Sequence, residues 1–443
     1  MNILLILPRD NIYRYRGLAS KIIGPYAPLT LATLAALVPN ELEAQIDLLD
    51  EGIQEAHFKD KHYDLVGISC VASSANRAYE LADYWRKRGA FVVLGGAHPT
   101  LMSDEAQEHA DSVVVGLAEE TFPQLLRDFK NGATQKRYHK PYSGELSSPV
   151  PRRDLYPSFG YLPTPTIIAN SGCKNNCSYC VVNQFDYARR VVRPIAEVLD
   201  EIKNLNTHRF MLLDPNLVSN REYARDLLQG LIPLKVKWAA PVPSDIVYDR
   251  ELFELIVRSG CEAVLIGFES FCQASLDQSG KKFNQVSQYK EIVNKLHQKG
   301  IAVLGCFVLG FDDDTPEILA RTAEFVYEIN VDLPRYALLT PFPGSRLFNH
   351  FKDEGRLITE DWSLYDSQHV VFQPKQMSPV QLQSIFSQTI RQSFSYRHIF
   401  HRVGVAPHSM PLSLLTNWGL RHALLSAWKE EARELPIPTG ANI

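Results

Sequence analysis

The chain has no excess of basic charge. Across 443 residues Lys+Arg number 46 against Asp+Glu 50, a formal net charge of −4. Proteins that hold a nucleic-acid backbone rely on such an excess, so a nucleic-acid partner is not expected. Long apolar runs are also lacking. The longest uncharged stretch, residues 22–39, approaches the length of a transmembrane helix, but Pro25 and Pro28 break its first third. What remains predicts one buried helix from Leu29, and no transmembrane segment. The opening MNILLILPRD lacks the positive flank and small-residue cleavage site of a signal peptide, which points to a cytoplasmic protein. Cysteine is sparse, and 7 in a chain of this size exclude a disulfide scaffold. Cys70, Cys261, Cys272 and Cys306 are scattered through apolar segments as buried thiols, whereas Cys173, Cys177 and Cys180 crowd together.

What is present is globular composition, 45% hydrophobic and 22% charged, in a chain long enough for two or three domains. Over residues 1–130, short apolar strands (2–7, 45–49, 65–69, 91–94, 112–115) alternate with amphipathic helical patterns (28–37, 76–88, 121–129). Alternation of this kind predicts an α/β domain with a Rossmann-like, doubly wound parallel sheet, its ligand beyond the carboxyl ends of the strands. Periodicity fails over 131–162, where Pro, Gly, Ser and Arg accumulate, as in a linker or packed arm. A second βα series over 163–375 has strands at 166–172, 209–215, 235–242, 263–270, 302–310 and 336–341. Six units fall short of the eight of a closed barrel, so the expectation is a partial (βα)6 TIM barrel. In the remainder, 376–443, Leu382, Phe386, Ile390 and Phe394 step by four. That spacing predicts a helical C-terminal cap over the barrel or a substrate.

The segment SGCKNNCSYC spaces its cysteines C-x3-C-x2-C directly after the first barrel strand. Three thiolates on one tight loop can ligate three irons of a [4Fe–4S] cubane and leave the fourth iron open, as catalysis requires. Zinc is the structural alternative, but it takes four ligands, and no fourth Cys or His follows at finger spacing. This motif, with Tyr179 before the last cysteine, resembles the radical S-adenosylmethionine family. The resemblance extends through MLLDPN with Asp214, GFES with Glu269, CFVLGFDDDT with Val308 and Gly310, and LLTPFPGSRLF with Ser345. It implies that Cys173, Cys177 and Cys180 hold the cluster. It also implies that Tyr179, Asp214, Glu269, Val308 and Gly310 line the S-adenosylmethionine site, Glu269 at the ribose and Gly310 near the adenine. The cofactor then carries the hard chemistry, hydrogen abstraction by a 5′-deoxyadenosyl radical, while the protein supplies position and shielding.

In the first domain the strand ends read ISCVASSAN, GGAHPT and VGLAEET. Glycine at a strand end lets a large ligand approach the backbone. This order, directly upstream of a cluster domain, resembles the cobalamin-binding module of cobalamin-dependent radical enzymes. It implies corrin contacts at Ser69, Ser73, Gly95, Gly96, His98, Pro99, Thr100 and Gly116. The D-x-H-x-x-G motif that supplies a cobalt-ligating histidine elsewhere is absent; the corresponding position reads LPRDNIYRYRG. A His beside Pro in a glycine turn is more often structural than metal-ligating, so His98 is assigned a contact role only. A flavodoxin-like domain without cofactor is the alternative.

The leading expectation is a cobalamin-dependent radical methyltransferase acting on an unactivated carbon of a small-molecule or lipid-like substrate, served by an electron donor such as flavodoxin or ferredoxin. A radical cyclase or rearranging enzyme uses the same two modules and is the alternative. A tRNA methylthiotransferase would need three further N-terminal cysteines, and only Cys70 precedes Cys173. A binding-only sensor disagrees with the intact cluster spacing. In the tail, Phe386, Phe394, Tyr396 and Phe400 are either core packing or a pocket for an apolar substrate, and His398, Arg402 and Arg421 either meet an acidic group or face solvent.

Overall fold

The computed structural model of the protein describes residues 1–10, 26–54, 61–142, 144–157, 159–185, 191–407 and 413–422. Most of the loop after the first strand, and the end of the tail from Ala423, lie outside the described residues.

The first domain runs β1 (Asn2–Leu7), α1 (Leu29–Ala36), β2 (Gln45–Asp50), β3 (Leu65–Ser69), α2 (Ala75–Lys87), β4 (Phe91–Gly95), α3 (Ala97–Leu101), α4 (Ser103–His109), β5 (Ser112–Val115), α5 (Thr121–Lys130) and β6 (Arg137–His139). The strands form one parallel sheet in the order β2-β1-β3-β4-β5-β6. All five residues of β3 are buried, because both faces of a parallel sheet are covered. The chain reverses its winding between β1 and β3, which opens a crevice beyond their carboxyl ends. β6 comes from the segment expected to be a connecting arm. It is three residues long with only Tyr138 buried, too short to leave a periodic signal.

The connection is packed rather than slack. β7 (Gly144–Glu145) precedes the first barrel strand β8 (Thr166–Ile167) and pairs in parallel with β9 (Val191–Val192) beyond it. Arg152 N–H donates to the Ala32 carbonyl (2.9 Å) and the Tyr156 hydroxyl to the Pro28 carbonyl (2.6 Å), tying the arm to α1. Leu155 and Tyr156 pack on the core of that sheet face. Arg153 and Arg193 both bond the buried Glu201, which a lone buried carboxylate would need.

The barrel continues through α6 (Ile195–Lys203), β10 (Arg209–Leu212), α7 (Arg221–Leu231), β11 (Lys237–Pro241), α8 (Arg250–Arg258), β12 (Cys261–Glu269), α9 (Gln273–Gln278), α10 (Tyr289–Gln298), β13 (Ala302–Leu309), α11 (Pro316–Ala320), α12 (Thr322–Glu328) and β14 (Leu333–Leu338). Six parallel strands lie in the order β14-β13-β12-β11-β10-β8, an open partial barrel. Burial alternates along them: Val303, Phe307 and Leu309 are buried under the helices, while Leu304, Cys306 and Val308 face the lumen. β8 is shorter than the expected 166–172. Asn170 instead bonds the Asn216 carbonyl and the Gly172 amide, which takes the chain out of the ladder.

After β14 the chain forms a strap. Ser345 caps α13 (Arg346–Asp353) by accepting the Phe348 amide (3.1 Å). Phe348, Trp362, Tyr365 and Val371 then enter the core of the first domain beside Ile6, Val66 and Leu94. α14 (Pro379–Ser393) and α15 (Tyr396–Val405) follow, and the chain is helical again over 413–422. Leu382, Phe386, Ile390 and Phe394 are core, as their spacing implies. They seal the open edge at β14 and α12 rather than lid the mouth. Leu382 meets Gly310 at the carboxyl end of β13, whereas His401 bonds Asn330 and Asn417 bonds the Asp332 carbonyl at the opposite pole. His398 and Arg402 are buried, and Arg421 bonds the Phe394 carbonyl, so none of the three meets a substrate at the mouth. Among the described residues no helix is long and apolar enough to cross a membrane.

The strap predicts a sensitive glycine. Gly344 has φ +81°, and a Cβ there would meet the Leu101 side chain at 3.0–3.3 Å. Gly344→Ala is expected to cost about 1–2 kcal/mol and lower the melting temperature by a few degrees, measured by calorimetry.

Candidate active site at the sheet rims and the cysteine loop

The cysteine loop leaves a two-residue strand, so other elements must hold it. Ser178 N–H donates to the Ser279 carbonyl (3.0 Å), Leu347 N–H to the Ser178 carbonyl (2.9 Å) and Lys174 N–H to Ser219 Oγ (2.7 Å). Arg346 bonds the Asn176 carbonyl, and Asn216 Nδ2 lies 3.8 Å from Cys173 Sγ. Gly280 (φ +83°) leaves no room for a Cβ, which would sit 2.8 Å from the Asn176 carbonyl oxygen. Burial pushes the Cys177 thiol up to about 11, against the Lys281 charge that pulls it down, while Cys173 and Cys180 push it further up. Buried, mutually repelling thiols of this kind fit a cationic iron cluster. Among the described residues no three His, Cys, Asp or Glu side chains converge as the ligands of a single ion do.

Beside the loop lies a buried ion pair. Glu269, in the left-handed region (φ 66°) at a bulge ending β12, meets Lys281 Nζ at 2.6 Å. Lys281 also donates to the Gly267 carbonyl (3.0 Å), and a Cβ on Gly267 would collide with the Glu269 carboxylate at 2.2 Å. Burial alone would depress the Lys281 ammonium, but the Glu269 charge and hydrogen bond hold it above its ordinary range. The Tyr179 hydroxyl is buried near Glu269, and both amide atoms of Asn183, three residues past Cys180, are buried without a hydrogen-bond partner among the described residues. Such orphaned polar groups fit a polar ligand at this place. Sequence reasoning missed Lys281, Asn216 and Asn183. The signal for Lys281 was a lysine set in the turn SGKKFN, whose glycine has positive φ.

Val308 faces the lumen, and Gly310 (φ +109°) ends its strand. Asp314 accepts the Gly310 and Phe311 amides (2.9 and 3.0 Å) and the Ser275 hydroxyl (2.8 Å), fixing that turn. Cys306 faces the lumen across the β13–β14 register from Arg335. Asp214 departs from its expected contact role. It is 0% exposed, and Oδ1 accepts the Ala169 amide (2.8 Å) while Oδ2 has no partner among the described residues. It braces the root of the cysteine loop.

In the first domain Ser69, Gly95, Gly96, Thr100 and Gly116 gather at the carboxyl edge. Gly96 (φ +97°) lies so close to Cys70 and Ser69 that a Cβ would stand 2.7 Å from the Cys70 carbonyl. Thr100 donates to the Gly96 carbonyl (2.7 Å) and accepts the Gly116 amide (3.0 Å), linking two of the glycine turns. Ser73 Oγ is buried without a partner among the described residues. His98 and Pro99 do not line this rim. They are buried in α3, and His98 Nε2 turns to Glu105 (3.2 Å), which also accepts Tyr79 (2.7 Å) and Trp362 Nε1 (2.9 Å). Burial pushes the Glu105 carboxyl up, but these bonds bring it below its ordinary value. His98 is thus a structural tie to the strap.

Burial pushes the Asp214 carboxyl from 3.8 up to about 7, against the Ala169 and Asn170 amides and the Arg193 charge. A carboxyl raised in the folded state stabilises at low pH and loses that contribution as pH climbs through this window. Relative to Asp214→Asn, the wild type is expected to lose about 2–4 kcal/mol between pH 4 and 7, with a constant difference above, read from urea unfolding of the two proteins.

Comparison with known proteins agrees with this arrangement. The B12 binding domain family matches residues 15–126 and the Radical SAM superfamily residues 167–326. Bacteriochlorophyllide d C-12(1)-methyltransferase of Chlorobaculum tepidum is 31% identical, over 86% of this chain and 85% of that protein. Anaerobic magnesium-protoporphyrin IX monomethyl ester cyclase of Cereibacter sphaeroides is 25% identical, over 87% and 70%. The radical S-adenosylmethionine methyltransferase TsrM of Kitasatospora setae, solved with cobalamin and a [4Fe-4S] cluster, has the same fold with TM-score 0.65 at 16% identity, covering 97% of this chain and 99% of that one. With a B12 binding domain ahead of a Radical SAM domain, and 86% of its length aligned with a 31% identical relative, the chain belongs to the cobalamin-dependent radical S-adenosylmethionine enzymes.

Proposed function

We propose that the protein is a C-methyltransferase acting on an unactivated carbon of a largely apolar small molecule, of the tetrapyrrole or lipid-like class. The observation that carries this reading is the strap. One turn packs Gly344 on Leu101, next to the glycine rim of the first domain, while Arg346 and Leu347 bond the cysteine loop. A single rigid peptide therefore sets the separation of the two rims, as a reaction shared between two cofactors needs.

When bound, the cluster and S-adenosylmethionine supply a hydrogen-abstracting radical and cobalamin supplies a methyl carrier. The residues of the chain bind, orient and shield. Cys173, Cys177 and Cys180 hold the cluster. Lys281 holds the Glu269 carboxylate in place for the sugar hydroxyls, with Tyr179, Val308 and Gly310 around the rest of the nucleoside. Ser69, Ser73, Gly95, Gly96, Thr100 and Gly116 admit the corrin. Leu265, Leu304, Val308 and Ala337 give the lumen an apolar wall that excludes water and stray hydrogen donors. Lys174, exposed beside Cys173, offers a cation to a small electron carrier such as flavodoxin or ferredoxin. The tetrapyrrole class is supported by the substrate that the 31% identical relative is named for.

Ring closure without methyl transfer is the second reading, supported by the cyclase relative. Anaerobic turnover with deuteromethyl-labelled S-adenosylmethionine and tetrapyrrole or lipid candidates separates the two. Methyl transfer is expected to give labelled product with S-adenosylhomocysteine; 5′-deoxyadenosine with an unlabelled, altered product means cyclisation. Independently, Glu269→Gln is expected to weaken S-adenosylmethionine binding about tenfold by calorimetry, with the iron content of reconstituted protein unchanged.

A further inference from the structure

At the pole of the barrel away from the cysteine loop, two helices leave an apolar face uncovered among the described residues. α15 and the helix over 413–422 run antiparallel. Arg402 Nε bonds Asn417 Oδ1 (3.0 Å) at one level, and the Arg421 guanidinium lies 4.6 Å from the Tyr396 ring centroid at another. That pairing brings Phe400 level with Trp418. Their inner faces are core, with Ile399, Arg402, Val403, Asn417 and Leu420 buried. Their outer faces are unusual for a solvated surface: Phe400 is 64% exposed, Trp418 60%, Tyr396 57% and Leu415 50%. Single exposed apolar side chains are ordinary, but a contiguous group of aromatics and leucines marks an interaction surface.

Charge names the occupant. Although the whole chain is acidic, no Asp or Glu occurs between Asp366 and Glu430, while Lys375, Arg391, Arg397, Arg402, Arg421 and Lys429 fall within that span. Arg397 and His422 flank the apolar face and are exposed, and Arg421 is half-buried between the helices. The facing carboxylate is Glu324 of α12, which lies 3.3 Å from Arg397 and 3.6 Å from His398. A second copy of the same face would set cations against cations. We propose that this face is a peripheral docking surface for a bilayer with anionic headgroups. Tyr396, Phe400, Leu415 and Trp418 enter the boundary between headgroups and acyl chains, and Arg397, Arg421 and His422 meet lipid phosphates. Docked at this pole, the enzyme keeps its mouth open to water, so the surface serves attachment and not substrate entry.

The test is flotation of the full-length, cluster-reconstituted protein with vesicles of phosphatidylcholine alone or of equimolar phosphatidylcholine and phosphatidylglycerol. Flotation only with the anionic vesicles is expected, weakened by added salt and reduced about tenfold in a Phe400→Ser, Trp418→Ser variant. Both side chains are exposed, so the variant is expected to keep the wild-type iron content and melting temperature. The proposal is overturned by no flotation, by equal flotation with neutral vesicles, by flotation that survives the double substitution, or by a lipid-independent dimer that the substitutions dissociate. Flotation that appears only in a chain ended at His422 would assign the face to the tail instead, and would equally refute it.

Discussion

A loop proposed to hold an iron cluster through three thiols has to be rigid, yet it leaves a strand of two residues and has no helix or ladder of its own. Its rigidity is borrowed. Hydrogen bonds from the end of α9, the start of α13 and the Ser219 hydroxyl in the loop after β10 take up its peptide groups. The lenders are themselves fixed, by Ser345 capping α13, by the positive φ of Gly280, and by Asn216 and Ser219 in one turn. Much of the mouth can be understood as a scaffold for a segment that could not hold its own shape.

The same economy governs the buried carboxylates. Asp214 accepts the amide of Ala169, Asp314 those of Gly310 and Phe311, and Glu201 takes two guanidinium groups. Asp214 and Asp314 sit where a strand gives way to a loop, and Glu201 sits within α6. A buried carboxylate is costly unless bonded, and that cost makes it a strong determinant of loop geometry, because any rearrangement strands it. Glu269 differs from the two aspartates. Its partner is the Lys281 side chain, and a bulge and a glycine two residues before it clear the space for the pair.

Both sheets were legible in the sequence because parallel strands covered on two faces read as short apolar runs, such as VGIS or AVLG, separated by amphipathic helices. The cysteine spacing and the glycines of the rims were legible because their chemistry is local. What escaped depended on partners distant in sequence. The inward turn of His98 follows from Glu105 and from Trp362, 257 residues beyond Glu105. The sealing of Asp214 follows from Ala169, just past the neighbouring strand β8, and the role of Lys281 from a carboxylate in a left-handed turn. The helices after Lys375 had the expected apolar stripe, but a stripe does not say which surface it covers, and this one covers an edge.

Phe348, Trp362, Tyr365 and Val371 belong to the core of a sheet whose own strands are finished by His139. As the chain emerges from the ribosome, that sheet has all its strands but lacks these four side chains of its core. At about 5–20 residues per second, the interval before Val371 follows is on the order of tens of seconds. Throughout it, the part of that face which the strap later covers stands open. The two halves are successive in the gene but not in assembly: the first to be translated is among the last to close.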